Sequence, residues 1–246
     1  MGWTINEYIS GDDRVVYIDI SSIDADLETL IDKCIVDICY KDDAFKISKA
    51  KKYIRDFINT ENEDRKKGAI AEFFLHLYLN SINMEQACLF KNLEENSPKK
   101  GFDGVYKDEN KEVWYVESKS GAATSCTHAE KVQEAFRDLK KKFSSTTRND
   151  PWLNAYHHLR GINPTDPLLA KFRALSDIYS MGKAIDMSEY NISPCGTVYD
   201  DTYNTYPAVS ISNEVFNYFS GKDYKKLFSI CVTQRSVAEF ENYLGR

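Results

Sequence analysis

The chain has 246 residues, 42% of them hydrophobic, with a formal net charge of −6. That apolar content supports one large core or two small ones, and the low counts of Gly (11) and Pro (6) argue against long disordered tracts. No run of about twenty apolar residues marks a membrane span. An acidic chain does not grip nucleic acid over its whole surface, so any DNA contact must use a local basic patch or come from a partner.

The opening stretch, MGWTINEYISGDDR, is polar from the start and lacks the basic-then-apolar layout of a secretory signal. Met-Gly would suit myristoylation, but the position expected to hold Ser or Thr is Asn6 or Glu7. RVVYIDI (14–20) predicts a strand, being apolar and β-branched. DADLETLIDKCIVDICY (24–40) has helical spacing through Leu27, Leu30, Ile31 and Cys34. KAKKYIRDFIN (49–59) predicts a second helix, ended by the polar break NTENED.

RKKGAIAEFFLHLYLN (65–80) predicts a buried helix. Ile70, Phe73, Phe74, Leu77 and Tyr78 form one stripe, and Ala71, Leu75 and Leu79 carry the apolar surface round most of the circumference. Glu72 and His76 are its polar exceptions, one turn apart, and a carboxylate there needs a partner because burying it alone is costly. His76 reads as a core or pairing histidine.

EQACLF (85–90) reads as a short strand and KNLEENSPKK (91–100) as a loop. GFDGVYK (101–107) and EVWYVESK (112–119), joined by the turn-rich DEN, read as a β-hairpin. THAEKVQEAFRDLKKKF (127–143) follows as a helix, capped by a Thr127–Glu130 capping box. SSTTRNDPWLN (144–154) reads as a loop, with helices expected around 152–160 and 167–182. PCGTVYD and YPAVSIS read as strands or strand ends and KLFSICVTQ as a strand. SVAEFENYLG closes as a helix with a Ser236–Glu239 capping box. The text is mixed α/β throughout, and it leaves the strand order open.

The hairpin carries the chemistry. With a side-chain period of two, Val113, Tyr115, Glu117 and Lys119 share one face of their strand, and Trp114, Val116 and Ser118 the other. Both faces are apolar, so the strand is buried on both sides. A turn centred near Asn110 sets Asp103 directly across from Glu117, with Cβ atoms about 5 Å apart; a one-residue slip would destroy the pairing. Two carboxylates that close repel unless a proton or cation lies between them. Mg²⁺ or Mn²⁺ wants oxygen ligands. Asp103, Glu117 and the Ser118 carbonyl can supply three, and Glu72 a fourth, directly or through water. Such a metal lowers the pKa of a bound water and polarises a phosphate. Lys119 would orient or help deprotonate the attacking water and offset charge on the phosphate. That set suits phosphodiester hydrolysis.

Other chemistry is weaker. Cys34, Cys39, Cys88, Cys126, Cys195 and Cys231 are scattered and mostly beside apolar neighbours, as expected of reduced thiols in a cytoplasmic protein. Cys126 and His128 lack the CxxC or HxxxH partners of a zinc site. His157 and His158 are adjacent on a helix and point apart. Ser120, Thr124 and Ser125 have no histidine in a nucleophile-base arrangement, and SGKDYKK lacks the rest of a phosphate loop. Lys46, Lys49, Lys51, Lys52 and Arg55 form one basic patch, and Lys131, Arg137, Lys140, Lys141 and Lys142 another. Either can be a DNA contact or merely a solvated helix face.

GFDGV…VESK resembles the D…(D/E)-x-K signature of the PD-(D/E)XK nuclease superfamily. The resemblance implies a restriction-endonuclease-like α/β core, a central mixed sheet flanked by helices, over residues 62–145. N- and C-terminal α/β elaborations at 1–61 and 146–246 would complete a single nuclease domain of 1–246. It implies Asp103, Glu117 and Lys119 as catalytic residues, and Glu72, Asp103, Glu117 and Ser118 around the metal. It also points to Gln133, on the following helix, as a nucleic-acid contact; Phe102 stands where the signature often has Pro. More narrowly, KKGAIAEFFLHLYL, GFDGVY…WYVESKSG, GTVYDD and LFSICVTQ are similar to the HamA family, nuclease subunits of Hachiman anti-phage defence. That similarity implies a weakly specific DNase held in check by a HamB-like helicase subunit. The alternatives carried beside it are a non-catalytic nuclease-like module that binds protein or nucleic acid, and a hydrolase of another phosphoester such as RNA.

Overall fold

The computed structural model describes residues 1–90, 101–145, 149–202 and 204–246. The expected loop at 91–100, and the middle of the one at 144–154, lie outside the described residues.

The first hairpin is β1 (Trp3–Ser10) and β2 (Asp13–Ile20). Three helices follow, α1 (Ala25–Tyr40), α2 (Ile47–Ile58) and α3 (Glu63–Ser81). The two-residue strand β3 (Glu85–Gln86) precedes the second hairpin, β4 (Gly104–Lys107) and β5 (Val113–Ala122). Then come α4 (His128–Phe143), α5 (Pro151–Ile162) and α6 (Leu168–Ser180). The chain ends with β6 (Asn191–Tyr199), α7 (Ala208–Phe219), β7 (Lys226–Gln234) and α8 (Val237–Leu244).

All seven strands join one mixed sheet in the order β1-β2-β7-β6-β5-β4-β3. The four inner strands, β2, β7, β6 and β5, run parallel, and the outer ones pair antiparallel at both edges. Parallel strands need cover on both faces, and two separate cores provide it. One lies under α1, α2, α3 and α8, and holds Ile31, Ile54, Phe73 and Phe240 against Val16, Val116 and Ile230. The other lies under α4 to α7, and holds Val132, Trp152, Phe172 and Val215 against Tyr17, Tyr115 and Cys231. Alternation along β5 divides its residues between the two cores: Trp114 and Val116 enter the first, Tyr115 the second. No described helix is long and apolar enough to cross a membrane.

Three expectations change. YPAVSIS is not a strand: Ala208 begins α7, which buries Ile211, Val215 and Phe219 at i, i+4 and i+8. The β-branched residues suggested a period of two, and the packing uses one of 3.6. EQACLF is a strand only at its first two residues. Ser236 makes no capping bond to α8; Glu239 instead accepts the Ile23 backbone N–H at 2.7 Å, tying the last helix to the end of β2. The Thr127–Glu130 capping box is present in full.

Gly196 on β6 lets α4 come this close to the sheet. A Cβ there would stand 2.7 Å from the His128 carbonyl and 3.0 Å from the Val132 nitrogen, both backbone atoms. The helix therefore seats directly on β6 and turns one face toward β5.

Candidate active site

The hairpin register is the one the turn residues predict. Gly104 pairs Val116, Val105 pairs Tyr115 and Tyr106 pairs Trp114. The turn closes through the Asp108 side chain, whose Oδ1 accepts from the Asn110 and Glu112 nitrogens, while Lys111 takes the left-handed conformation at φ 62°. Carried one residue back from the start of β4, the register puts Asp103 opposite Glu117. Asp103 Oδ2 accepts the Ser118 N–H at 2.7 Å. The Ser118 carbonyl points the same way as its N–H, toward the space where β4 has ended.

Glu117 is only 3% exposed. Burial pushes its carboxyl above the usual range and the neighbouring Asp103 adds to this, against the opposing pull of Lys142 and Lys119. Lys119 Nζ lies 3.0 Å from Glu117 Oε1 and 3.0 Å from Asp138 Oδ2. Burial would depress that ammonium, but Glu117, Asp103 and Asp138 outweigh it and hold the group above its ordinary value. Lys142 caps the second oxygen, Glu117 Oε2. Asp138 and Lys142 sit one turn apart on α4 and so face the same way; they pair crosswise with Lys119 and Glu117 on β5. Lys141 adds a bond to Asp138 Oδ1 at 2.8 Å. Three acids (Asp103, Glu117 and Asp138) thus meet three lysines in one partly buried cluster.

Of the residues expected at the site, the structure brings together Asp103, Glu117, Ser118 and Lys119. Glu72 sits on α3, which covers the opposite face, with its carboxylate 3.6 Å from His76 Nε2. His76 is buried and bonds through Nδ1 to the Tyr106 hydroxyl, the pairing role expected of it. Among the described residues no three of His, Cys, Asp and Glu gather as a metal-holding group. Gln133 is half-buried on α4, about 140° round the helix from Asp138, so it does not join the cluster. Asp138 and Lys142 are the members the sequence reading missed. Their signal was the i, i+4 spacing beside the buried stripe of Val132, Ala135, Leu139 and Phe143, joined to the need of a buried Glu117 for more than one counter-charge.

The donor set still suits a hard cation. Mg²⁺ is commonly held by one or two carboxylates, with waters and substrate phosphate filling its remaining positions. Asp103, Glu117 and the Ser118 carbonyl provide that many oxygens at the middle of β5, beside the start of β4.

His128 belongs to the fold. It is buried, 2.9 Å from Thr233 Oγ1, with its ring against the edges of Tyr17 and Tyr206. Burial pushes its pKa from 6.5 down to about 4. The unfolded chain therefore binds the extra proton first, and the stability His128 contributes is complete above pH 6.5 and lost as pH falls toward 4. Urea midpoints measured across that interval should fall faster for wild type than for His128→Gln, the difference narrowing by at most about 1.4 kcal/mol per pH unit. Parallel curves would show that His128 does not titrate this way. All six cysteines are free, and all but the half-buried Cys126 are buried.

No curated protein matches the chain. A family model does: HamA, over residues 5–237. The match spans every candidate site residue, six strands of the sheet in full and all but the first two residues of β1, and the chain therefore belongs to the HamA family, a component of Hachiman anti-phage defence.

Proposed function

We propose that this chain is a metal-dependent deoxyribonuclease, the effector of its defence system, kept in check by a helicase subunit. In this reading its fold is a restriction-endonuclease-like domain of 1–246 with the catalytic core at 62–145. The observation that carries the proposal is the hairpin register, which sets Asp103 across from Glu117 with Lys119 two residues further along the same face. Asp103, Glu117 and the Ser118 carbonyl would hold Mg²⁺ or Mn²⁺. A bound divalent cation would supply a water of lowered pKa and polarise the scissile phosphate.

The chain's own residues supply the rest. The Ser118 N–H fixes one oxygen of Asp103, which holds that carboxylate turned toward β5. Lys119, kept as an ammonium by its three acidic neighbours, would donate to the attacking water or to a phosphate oxygen. It would offset charge there. The aromatic packing behind the pair, Phe102 on Tyr115 and Trp152, keeps bulk water from the back of the site and strengthens each of these interactions.

The test is cleavage of linear and supercoiled DNA by the purified protein with its partner. Cutting should require Mg²⁺ or Mn²⁺, stop with chelator, and be lost in Lys119→Ala and Asp103→Asn. No cutting under any of these conditions, together with full phage protection by both variants, would sink the proposal. A non-catalytic module would use the same charges only as a structural ion-pair cluster, and calorimetry would then find no metal affinity at Asp103 and Glu117.

A further inference from the structure

Lys142 is the one basic residue of the last turn of α4 that turns inward. Lys140 and Lys141 are exposed, whereas Lys142 is 13% exposed in its side chain, with its ammonium on Glu117 Oε2 and 5.6 Å from the centre of the Phe102 ring. With Lys119 on Oε1, both oxygens of the most buried acid in the cluster are capped by side-chain cations. The two lysines are not equivalent. Lys119 has a second carboxylate, Asp138, to hold it in place. Lys142 reaches Glu117 from a helix end, on a long flexible stem, with Ser144 as the C-cap just beyond it.

We propose that Lys142 is a built-in counter-cation that competes with the divalent metal for Glu117, so that loading the site requires α4 to withdraw this lysine. The inference rests on reading Asp103 and Glu117 as the metal-binding pair. An ammonium and a dication on the same carboxylate oxygen repel each other, and in a partly buried site that repulsion is poorly screened. Withdrawal is sterically simple. The side chain swings off Glu117 toward the exposed end of α4, where the last-turn carbonyls favour a cation. The released ammonium then lies beside the site, placed for a backbone phosphate of the substrate. Lys142 is thus a positioning residue acting through Glu117, and it sets how readily the metal enters.

The experiment is a Mn²⁺ titration followed by electron paramagnetic resonance, on wild type, Lys142→Met, Lys142→Arg and Glu117→Gln, with the melting temperature of each measured alongside. Lys142→Met should bind Mn²⁺ roughly tenfold tighter than wild type, and Lys142→Arg, which keeps the charge, should return to the wild-type affinity. Equal or weaker binding by a folded Lys142→Met overturns the inference. In case that variant does not fold, wild-type protein with ¹³C-methylated lysines gives a second measurement. The Lys142 resonance should shift with the same Mg²⁺ midpoint as binding, and a resonance that stays put while Mg²⁺ binds overturns the inference equally. Glu117→Gln separates the two readings: its unchanged affinity would remove the metal site itself, whereas its loss of binding with an indifferent Lys142→Met would remove the Lys142 inference alone.

Discussion

Replacing Glu117 by Gln is expected to abolish DNA cleavage, by on the order of 10³-fold, while the chain stays folded. The substitution keeps the shape of the side chain and removes the charge a divalent cation needs. Folding should survive because the carboxylate is costly to bury in the first place, as its upward-shifted pKa records. The lysines around it keep other options: Lys119 retains Asp138, 3.0 Å away, and Lys142 can turn to solvent from the end of α4. A neutral amide oxygen can still accept from either. Cleavage measured with the partner present, beside a urea curve for the same preparation, decides the matter. A folded variant cutting at close to the wild-type rate would show that Glu117 is a structural ion-pair acid only.

Arg235→Met is expected to produce the largest loss of stability, about 3–5 kcal/mol. Arg235 follows β7 and is 5% exposed in its side chain. Its Nε and Nη2 donate to the two Asp19 oxygens at 2.9 and 3.0 Å, Nη1 reaches Asp200 Oδ2 at 3.3 Å, and Nη2 also donates to the Asn204 carbonyl at 2.7 Å. It thus joins the carboxyl ends of β2, β6 and β7, three parallel strands whose termini would otherwise place two acids together. Burial would raise the Asp200 carboxyl, but the bonds from Thr202 and Tyr206 and the charge of Arg235 hold it well below the usual range. That acid therefore stays ionised, and Met would leave it buried without its cation. Lys at 235 keeps the charge but loses the planar fork, and should recover only part of the stability. Adding Asp19→Asn and Asp200→Asn to Arg235→Met should restore more, since the stranded charges go. Denaturant midpoints for the series measure this, and an Arg235→Met curve that overlays wild type would refute it.

Most of the helices, and the key hairpin, were legible because their information is local. The stripe on α3 and the Thr127 box are each written within one or two turns. So is the turn at 108–111, which sets the register of Asp103 against Glu117. β1 was missed because Glu7 and Tyr8 interrupt the alternation of Trp3, Ile5 and Ile9 with polar residues, and only Trp3 is fully buried. α7 was misread because its N-cap position holds Pro207, without a side-chain cap, and its short apolar run fits either period. The strand order was beyond reach for a different reason: β2 pairs with β7, Val16 beside Ile230, and nothing near either strand names its partner. Lys142 belongs to the same class. In the sequence it is one of three consecutive lysines; its spacing from Asp138 marks its helix face, and the seating of α4 against Gly196 is what turns that face toward Glu117.

The order of the sheet also bears on how the protein is made. β5 carries Glu117 and Lys119, yet its long parallel partner is β6, at 191–199, and β6 is flanked in turn by β7, at 226–234. A ribosome that has synthesised α4 has therefore produced every candidate catalytic side chain, but not the strand that braces β5 along its second side. Contacts this far apart in sequence form late, so the charge cluster can be assembled only on a nearly finished chain. A polypeptide interrupted in translation would carry the acidic and basic residues of the site without their geometry.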